Sequence, residues 1–377
     1  YKKEKKVEQS ITLIVSSLKG GGAERICINL ANYFTNKFSK VYLIVLTDKR
    51  EYDLPFSKKI NLIILKYKKA KSSILELIIQ LNYLKTDYIL SLMRDSNILL
   101  SISSIFLNYQ KIIIFREANN FKTLNSRNFI FRKFLTFFYF FLYKRSDFII
   151  ANSRDTQKSL EETIKYKNSK ITIIGNPVLS ESFDYKKIKV AKHEWIKNQN
   201  LKVIIGVGRL NIQKDFPTLI KAFSIVLKKN ENCRLIICGD GEEKKNLIAL
   251  IRQYKLQKYI DMIGFTNQVY SYIKGSDIFC LTSLWEGFGN VLVEAMALGP
   301  AIISTSCVGI SKELITNKKV GSLVPIKNSD LLAKEILIKL KEPSNKEMNM
   351  RIASEYSVSN IGEKYFETIN SLKKNKI

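Results

Sequence analysis

The sequence predicts an α/β fold with two doubly wound parallel-sheet domains that face a cleft. Short runs of aliphatic, mostly β-branched residues recur along the 377-residue chain, and amphipathic stretches typical of helices separate them. Near-continuous apolar strands are typical of parallel sheets that are covered by helices on both faces. Twelve such runs are more than one ordinary sheet holds, so we expect two Rossmann-like domains with the ligand site between them.

The predicted strands form two groups on either side of a polar, lysine-rich stretch. The first group is 11–15, 41–46, 62–65, 88–90, 112–115, 148–151 and 171–174. The second group is 203–207, 235–238, 278–281, 301–304 and 322–324. We therefore expect an N-terminal domain at 1–180, a linker at 181–200, a C-terminal domain at 201–360 and a last helix at 361–377 that can return to the N-terminal domain.

The composition narrows the classes of function. Lys and Arg number 62 against 34 Asp and Glu, which gives a net charge of +28. Five cysteines at irregular spacings indicate neither a zinc site nor a disulfide framework, and we expect a reducing, cytosolic setting. A single histidine, His193, argues against a histidine-based metal centre and a Ser-His-Asp triad. No two aspartates are two residues apart, so the chain lacks a D-x-D pair for a metal-bound nucleotide.

Two polar segments that follow predicted strands are candidate anion sites. Residues 20–22 are three glycines before a helix that begins at residue 23, where backbone N–H groups can approach an anion. Their spacing is neither that of a dinucleotide fingerprint nor that of an NTPase loop, and a plain flexible loop is the alternative. Arg209 and Lys214 follow the strand at 203–207 and can converge on one anion, unless they are two solvated surface cations.

The most specific segment is 285–290, which precedes an apolar helix that Gly299 and Pro300 terminate. We expect Asn290 to be the N-cap of this helix. Glycines beside a helix start favour anion binding. Glu286 and Glu294, eight residues apart, can accept hydrogen bonds from ribose or hexose hydroxyls. The alternative is that Glu294 complements the helix dipole and Glu286 is a surface residue.

The stretch between Glu117 and Asp147 holds six basic and ten aromatic residues but no acidic one. Its apolar centre at 134–143 is too short to span a bilayer. Only one face of a helix can pack on a sheet, yet 137–141 is apolar all round. We therefore expect 129–145 to contact the inner face of a membrane, the alternative being a helix buried on the sheet.

These segments occur together in the order of a known family. The chain resembles, nearly end to end, the retaining nucleotide-sugar-dependent glycosyltransferases of family four, which have the GT-B architecture. The matching segments are 21–25, 150–153, 175–178, 207–216, 239–241, 263–265 and 276–299, and the last contains the family's E-x₇-E pair. Residues 93–97 also resemble those of bacterial N-acetylgalactosamine transferases that act on lipid-linked oligosaccharides.

The resemblance implies roles for the matching residues. Arg209 and Lys214 would neutralise the diphosphate of a UDP-sugar, Glu286 would orient the sugar, and Glu294 would hold the ribose. Further contacts to this substrate would come from Gly22, Ile263, Gly287, Phe288, Gly289 and Asn290. The family needs no cofactor or metal. Many members carry a histidine in the acceptor half, where this chain has Arg116 and Glu117, and either of these could take its place.

The implied reaction transfers a hexose or N-acetylhexosamine, with retained configuration, to a glycan acceptor. The acceptor would be linked to a polyprenyl diphosphate at the inner face of the membrane, in lipopolysaccharide or capsule synthesis. Two alternatives stay open: a GT-B sugar-nucleotide epimerase, which a single histidine disfavours, and a basic nucleic-acid-binding protein, which the absence of a motif disfavours. The net charge is +18 over residues 1–190 and +10 over 191–377, and this excess favours a membrane partner over nucleic acid.

Overall fold

The computed structural model describes residues 7–18, 21–47, 56–118, 129–164, 170–342 and 344–374, with side chains except at 129–134, 163–164 and 373–374. The chain divides into two compact units. The first contains Tyr1–Glu181 and Tyr356–Ile377, and the second contains Ser182–Glu355. Residues 182–200 therefore belong to the second unit, where Ala191 N donates a hydrogen bond to Ser271 O at 3.1 Å.

The elements alternate between strand and helix through most of the chain. The strands are β1 (Val7–Val15), β2 (Phe38–Thr47), β3 (Ile60–Tyr67), β4 (Tyr88–Ser91), β5 (Ile112–Glu117), β6 (Phe148–Ala151), β7 (Ile171–Ile173), β8 (Lys202–Val207), β9 (Cys233–Cys238), β10 (Ile260–Gly264), β11 (Ile278–Leu281), β12 (Ala301–Thr305) and β13 (Ser322–Val324). The helices are α1 (Gly22–Phe34), α2 (Ile74–Leu84), α3 (Arg94–Ser103), α4 (Phe129–Tyr143), α5 (Arg154–Ile164), α6 (Glu194–Lys197), α7 (Phe216–Lys229), α8 (Lys244–Gln253), α9 (Val269–Lys274), α10 (Asn290–Leu298), α11 (Ser311–Leu314), α12 (Ser329–Lys339), α13 (Lys346–Ser354) and α14 (Val358–Lys374).

In the described part of the first unit, seven parallel strands pair in the order β3-β2-β1-β4-β5-β6-β7. Alternate side chains of β1 enter opposite cores, because successive strand residues point to opposite faces. Leu13 and Val15 pack with α1 and α14 on one face, whereas Ile14 packs with α2, α3 and α4 on the other. The sheet is thus covered by helices on both sides.

In the described part of the second unit, six parallel strands pair in the order β10-β9-β8-β11-β12-β13. The register of the central pair places Ile278 of β11 opposite Ile204 of β8. One core contains Leu219 and Phe223 of α7 together with side chains of α8 and α12. The prediction of two doubly wound parallel-sheet domains is confirmed.

All twelve predicted strands are present, but the sequence missed β10, the thirteenth among the described residues. This strand lies at the edge of its sheet, and most of its side chains are only partly buried. Asp261 interrupts its apolar run, so the run lacks the continuity that marks a central parallel strand.

Candidate functional site

The second unit has a topological switch point between β8 and β11, where the chain order of the sheet reverses. Segments that leave the carboxyl ends of two such strands diverge, and ligands of open parallel sheets bind in the crevice that results. Arg209 and Lys214 follow β8, and Glu286 follows β11. The fold therefore places three of the predicted site residues at its most favourable position for a ligand.

The loop that carries Arg209 lies directly against the loop after β9. A Cβ atom on Gly239 would lie 1.9 Å from the carbonyl oxygen of Gly208, and one on Gly241 would lie 2.4 Å from that of Leu210. A Cβ atom this close to a carbonyl oxygen would clash, so both positions require glycine. Gly239 also has a φ of +147°, which L-residues rarely adopt. These two glycines allow the close packing of loops that positions Arg209, whose side chain is exposed.

Lys214 and Glu286 form an ion pair at the switch point. The Nζ of Lys214 donates to Oε1 of Glu286 at 2.5 Å, and the hydroxyl of Ser283 donates to the same oxygen at 2.5 Å. Both charged side chains are largely buried, with exposed fractions of 16% and 7%. Gly208 makes room for the lysine, since a Cβ there would lie 3.1 Å from Cδ of Lys214. The sequence predicted both residues but not their direct contact.

The backbone around Glu286 is held by the neighbouring loop after β12. Glu286 N donates to the carbonyl oxygen of Val308 at 2.8 Å. Gly309 packs against the glutamate, because a Cβ at that position would lie 2.9 Å from Cβ of Glu286. The carboxylate is therefore fixed both through its main chain and through Lys214 and Ser283.

The helix after this loop begins one residue earlier than the sequence suggested. The N-cap of α10 is Gly289, with a φ of +93°, and Asn290 is the first helical residue, so the prediction of Asn290 as N-cap is wrong. Only glycine adopts this left-handed conformation without strain, which explains the change. Gly287 and Phe288 complete the loop, and the Phe288 ring is buried.

Glu294 lies inside α10, where 5% of it is exposed, and the hydroxyl of Tyr270 donates to its Oε1 at 3.0 Å. The sequence did not reveal Tyr270 as a partner of the predicted site residue Glu294. It stands 24 positions from Glu294 and reaches it because α9 packs on α10. The ring of Phe183 contacts Tyr270 edge-on, with centroids 5.9 Å apart, which further fixes the phenol.

Two further predicted residues lie at strand or helix ends. Ile263 is near the end of β10, followed by Gly264, whose carbonyl oxygen accepts a hydrogen bond from Gly239 N at 2.8 Å. Gly22 is the first residue of α1 in the first unit, and Gly21 is its N-cap. Gly20, also part of the predicted glycine loop, lies outside the described residues.

Arg116 and Glu117, at the end of β5, are both buried among protein partners. Arg116 donates to Leu92 O at 3.1 Å and to Oδ1 of Asn176 at 2.5 Å. Glu117 pairs with Arg94 at 3.1 Å and accepts a hydrogen bond from Tyr143 at 2.5 Å. Burial, followed by the nearby Glu117 charge, raises the pKa of Tyr143 well above its usual value. These enclosed pairs support a role in holding the strand end.

The aromatic helix α4 is buried on one side only. Tyr143 is fully buried, whereas Phe137 and Phe141 are 62% and 51% exposed. The membrane contact predicted for 129–145 can be compared with the structure only from residue 135 onward, because the side chains of 129–134 lie outside the described residues. None of the helices in the described ranges has the length and apolar character needed to cross a bilayer.

Together these groups define a class of site. After β8 lie an exposed arginine and a largely buried lysine that pairs with Glu286, and the helix after β11 carries a second carboxylate that a tyrosine fixes. Such a set suits a ligand that carries both anionic and hydroxyl groups. Within the described residues, no three His, Cys, Asp or Glu side chains are grouped where they could hold a metal ion.

Comparison with known proteins identifies the class more closely. The model of Glycosyltransferase Family 4 matches residues 20–181, and the model of glycosyl transferases group 1 matches residues 187–356. The two matches leave only a short gap and correspond to the two units. The chain belongs to the glycosyltransferases that these two models describe, and the predicted family and enzyme class are confirmed.

Individual relatives have related names. The chain is 28% identical over 334 residues to the N-acetylgalactosamine-N,N'-diacetylbacillosaminyl-diphospho-undecaprenol 4-alpha-N-acetylgalactosaminyltransferase of Campylobacter jejuni. This match covers 85% of the present chain and 87% of the Campylobacter protein. Anabaena HepE in complex with UDP and glucose has a TM-score of 0.76 at 19% identity, covering 97% of this chain and 100% of HepE. The apo lipopolysaccharide outer core galactosyltransferase WaaB has a TM-score of 0.71 at 17% identity, covering 98% and 100%. The two structural likenesses show a shared fold.

Proposed function

We propose that the protein transfers a hexose or N-acetylhexosamine from a UDP-sugar, with retained configuration, to a glycan acceptor of cell-surface polysaccharide synthesis. The observation that carries this proposal is the pairing of Lys214 with Glu286 at the switch point of the second unit. The names of the relatives give it further support, since one of them acts on a diphospho-undecaprenol glycan and another was solved with UDP.

In this proposal, Arg209 and Lys214 bind the diphosphate. The negative charge on the diphosphate grows as the bond to the sugar breaks, and two preplaced cations stabilise that charge without reorganisation. Lys214 is already held by Glu286, so its ammonium needs little reordering when the substrate arrives. The two residues lower the barrier chiefly by charge stabilisation of the departing UDP.

Glu286 and Glu294 bind hydroxyl groups in this proposal. Glu286 orients the sugar, together with the main chain of 287–290, and Glu294 accepts hydrogen bonds from the ribose. Ile263, at the end of β10, contacts the base through its main chain. The contribution of Gly22 to the diphosphate site stays a prediction. We further propose that the reaction needs no metal ion, so that EDTA leaves the rate unchanged.

We propose that the acceptor is a glycan linked to a polyprenyl diphosphate and that the protein meets it at the inner face of the membrane. The exposed rings of α4 support this, because Phe137, Phe138 and Phe141 would lie at the lipid interface. Lys144 and Arg145 follow the helix and are exposed, which suits anionic headgroups.

The test is a transfer assay with a panel of UDP-sugars and polyprenyl-diphosphate glycans. We expect one UDP-sugar to support transfer, with the anomeric configuration of the donor sugar retained in the product by NMR. Conversion of a UDP-sugar into its epimer without any acceptor would instead identify an epimerase. Binding to duplex or single-stranded nucleic acid at ~0.15 M salt, with no transfer, would favour the nucleic-acid alternative.

A further inference from the structure

Exposed large hydrophobic side chains of the first unit are concentrated on one helical layer. Nine such side chains are exposed among the described residues of this unit, and eight of them lie on or beside α2, α3 and α4. They are Leu75, Ile79 and Tyr83 of α2, Ile105 and Phe106 after α3, and Phe137, Phe138 and Phe141 of α4. The ninth is Ile173 of β7. So uneven a distribution is typical of an interaction surface.

The three residues on α2 form a stripe along the outer side of that helix. They are spaced four residues apart, so they lie above one another, and their exposed fractions are 72%, 60% and 82%. The opposite side of α2 packs into the core through Leu77 and Leu81. A surface helix normally carries polar residues where this one carries Leu75, Ile79 and Tyr83.

The α2 stripe and the exposed rings of α4 belong to the same layer of helices. α3 packs between α2 and α4, and all three contribute to the same core, through residues such as Leu81, Leu100 and Tyr139. The side chain of Asn82 also donates to Phe106 O at 3.0 Å, which joins the end of α2 to the segment after α3. The apolar groups therefore share one outer side of the unit.

Basic residues flank the α2 stripe at both ends. Exposed lysines precede α2 (Lys68, Lys69 and Lys71) and Lys85 follows it. The one acidic residue of α2, Glu76, accepts a hydrogen bond from Gln80 at 2.9 Å. An apolar stripe with cations at both ends fits an anionic lipid surface. A second copy of the chain would instead bring like charges together, which opposes self-association.

We propose that the outer side of α2, defined by Leu75, Ile79 and Tyr83, is a membrane-contact surface in its own right and binds anionic lipid. It extends the contact proposed above for α4, but it rests on different residues. The two helices would lie on the bilayer as a platform, with the lysines around α2 near the headgroups. The proposal concerns attachment, so it does not depend on the identity of the sugar or the acceptor.

The experiment compares vesicle binding by three variants of the full chain. The α2 variant carries Leu75→Ser, Ile79→Ser and Tyr83→Ser, and the α4 variant carries Phe137→Ser, Phe138→Ser and Phe141→Ser. Ile173→Ser is the matched control, because it removes an exposed hydrophobic residue of the same unit away from the layer. Flotation is measured with vesicles of equal parts phosphatidylglycerol and phosphatidylcholine, and circular dichroism and UDP affinity verify folding.

We expect the α2 variant to bind at least about tenfold more weakly than wild type, as the loss of several buried apolar groups implies, and the control to bind as wild type. Wild-type binding by a folded α2 variant overturns the proposal, and it leaves the α4 contact standing if the α4 variant has lost binding. Loss in the α2 variant alone supports the α2 surface and contradicts the α4 contact. If the α2 substitutions abolish a concentration-dependent dimer but not vesicle binding, the occupant is a second copy and the lipid proposal is wrong.

Discussion

Lys214 forms an ion pair with Glu286, and Oε1 of the glutamate accepts hydrogen bonds from both Nζ of Lys214 and the hydroxyl of Ser283. The lysine follows β8 and the glutamate follows β11, so the pair joins the two strands of the switch point. The carboxylate of Glu286 therefore already fixes the position of the Lys214 ammonium before a diphosphate binds it. We propose that Lys214 binds the diphosphate and that its partner Glu286 orients the sugar, so this contact places the two proposed roles side by side.

Lys214→Ala should weaken UDP binding by ~1.5–3 kcal/mol, the range for a hydrogen bond to a charged group, which is roughly 10- to 150-fold in Kd. The substitution also leaves Glu286 without its cation. Isothermal titration calorimetry with UDP measures the effect. Lys228→Ala is the control, since Lys228 is an exposed lysine in the last turn of α7. Equal UDP affinity for the Lys214 and Lys228 variants would remove Lys214 from the site.

Tyr270→Phe should reduce discrimination between UDP and its 2′-deoxy analogue. The phenol hydroxyl holds Oε1 of Glu294 at 3.0 Å, so its loss frees the carboxylate that we propose binds the ribose. We expect UDP affinity to fall roughly three- to tenfold, the scale of one hydrogen bond, with little change for 2′-deoxy-UDP. An equal loss for both ligands would indicate a general structural effect and count against this positioning role.

Gly239→Ala should disrupt the loop that carries Arg209. The new Cβ would lie 1.9 Å from Gly208 O at a φ of +147°, so the backbone of one loop must move. We expect a loss of at least ~2 kcal/mol in the free energy of unfolding, measured by urea denaturation. Gly264→Ala is a matched control, because its φ is +79° but nothing lies within 4 Å of the new Cβ. Similar losses in both variants would show that φ strain alone, and not the contact, matters.

The five cysteines should resist thiol reagents in the folded protein. All five are buried and free, and burial raises the pKa of Cys233 to about 11 and that of Cys238 to about 12. A raised pKa keeps the thiol neutral, so at pH 8 less thiolate is present than in an unfolded chain, where the pKa is about 8.5. Ellman's reagent at pH 8 should label none before denaturation and all afterwards. Rapid labelling of the native protein would contradict the buried arrangement.

The sequence predicted the parallel sheets because their strands are continuous apolar runs. The edge strand β10 was not predicted because Asp261 interrupts its apolar run. Gly289 was not predicted as the N-cap of α10 because the backbone φ angle cannot be read from a sequence. Tyr270 could not be predicted as the partner of Glu294, since their contact depends on how α9 packs on α10. Sequence patterns report burial along one element, whereas pairs between elements require the tertiary structure.

The α2 helix illustrates the same limit. Apolar residues occupy both of its sides, so periodicity alone does not tell which side enters the core. The structure buries Leu77 and Leu81 and leaves Leu75 and Ile79 exposed. The aromatic excess of α4, by contrast, is visible in the sequence because a run of five apolar residues at 137–141 cannot all face the sheet.

The central claim is that the switch point of the second unit is where sugar transfer occurs. The most direct measurement is the turnover of Glu286→Gln against wild type in transfer from the accepted UDP-sugar to a polyprenyl-diphosphate glycan. We predict that kcat falls by at least about 100-fold, since the sugar loses a preplaced charged group, while UDP binds within a few-fold of wild type. A Glu286→Gln enzyme with wild-type kcat and a product of unchanged configuration would contradict the account.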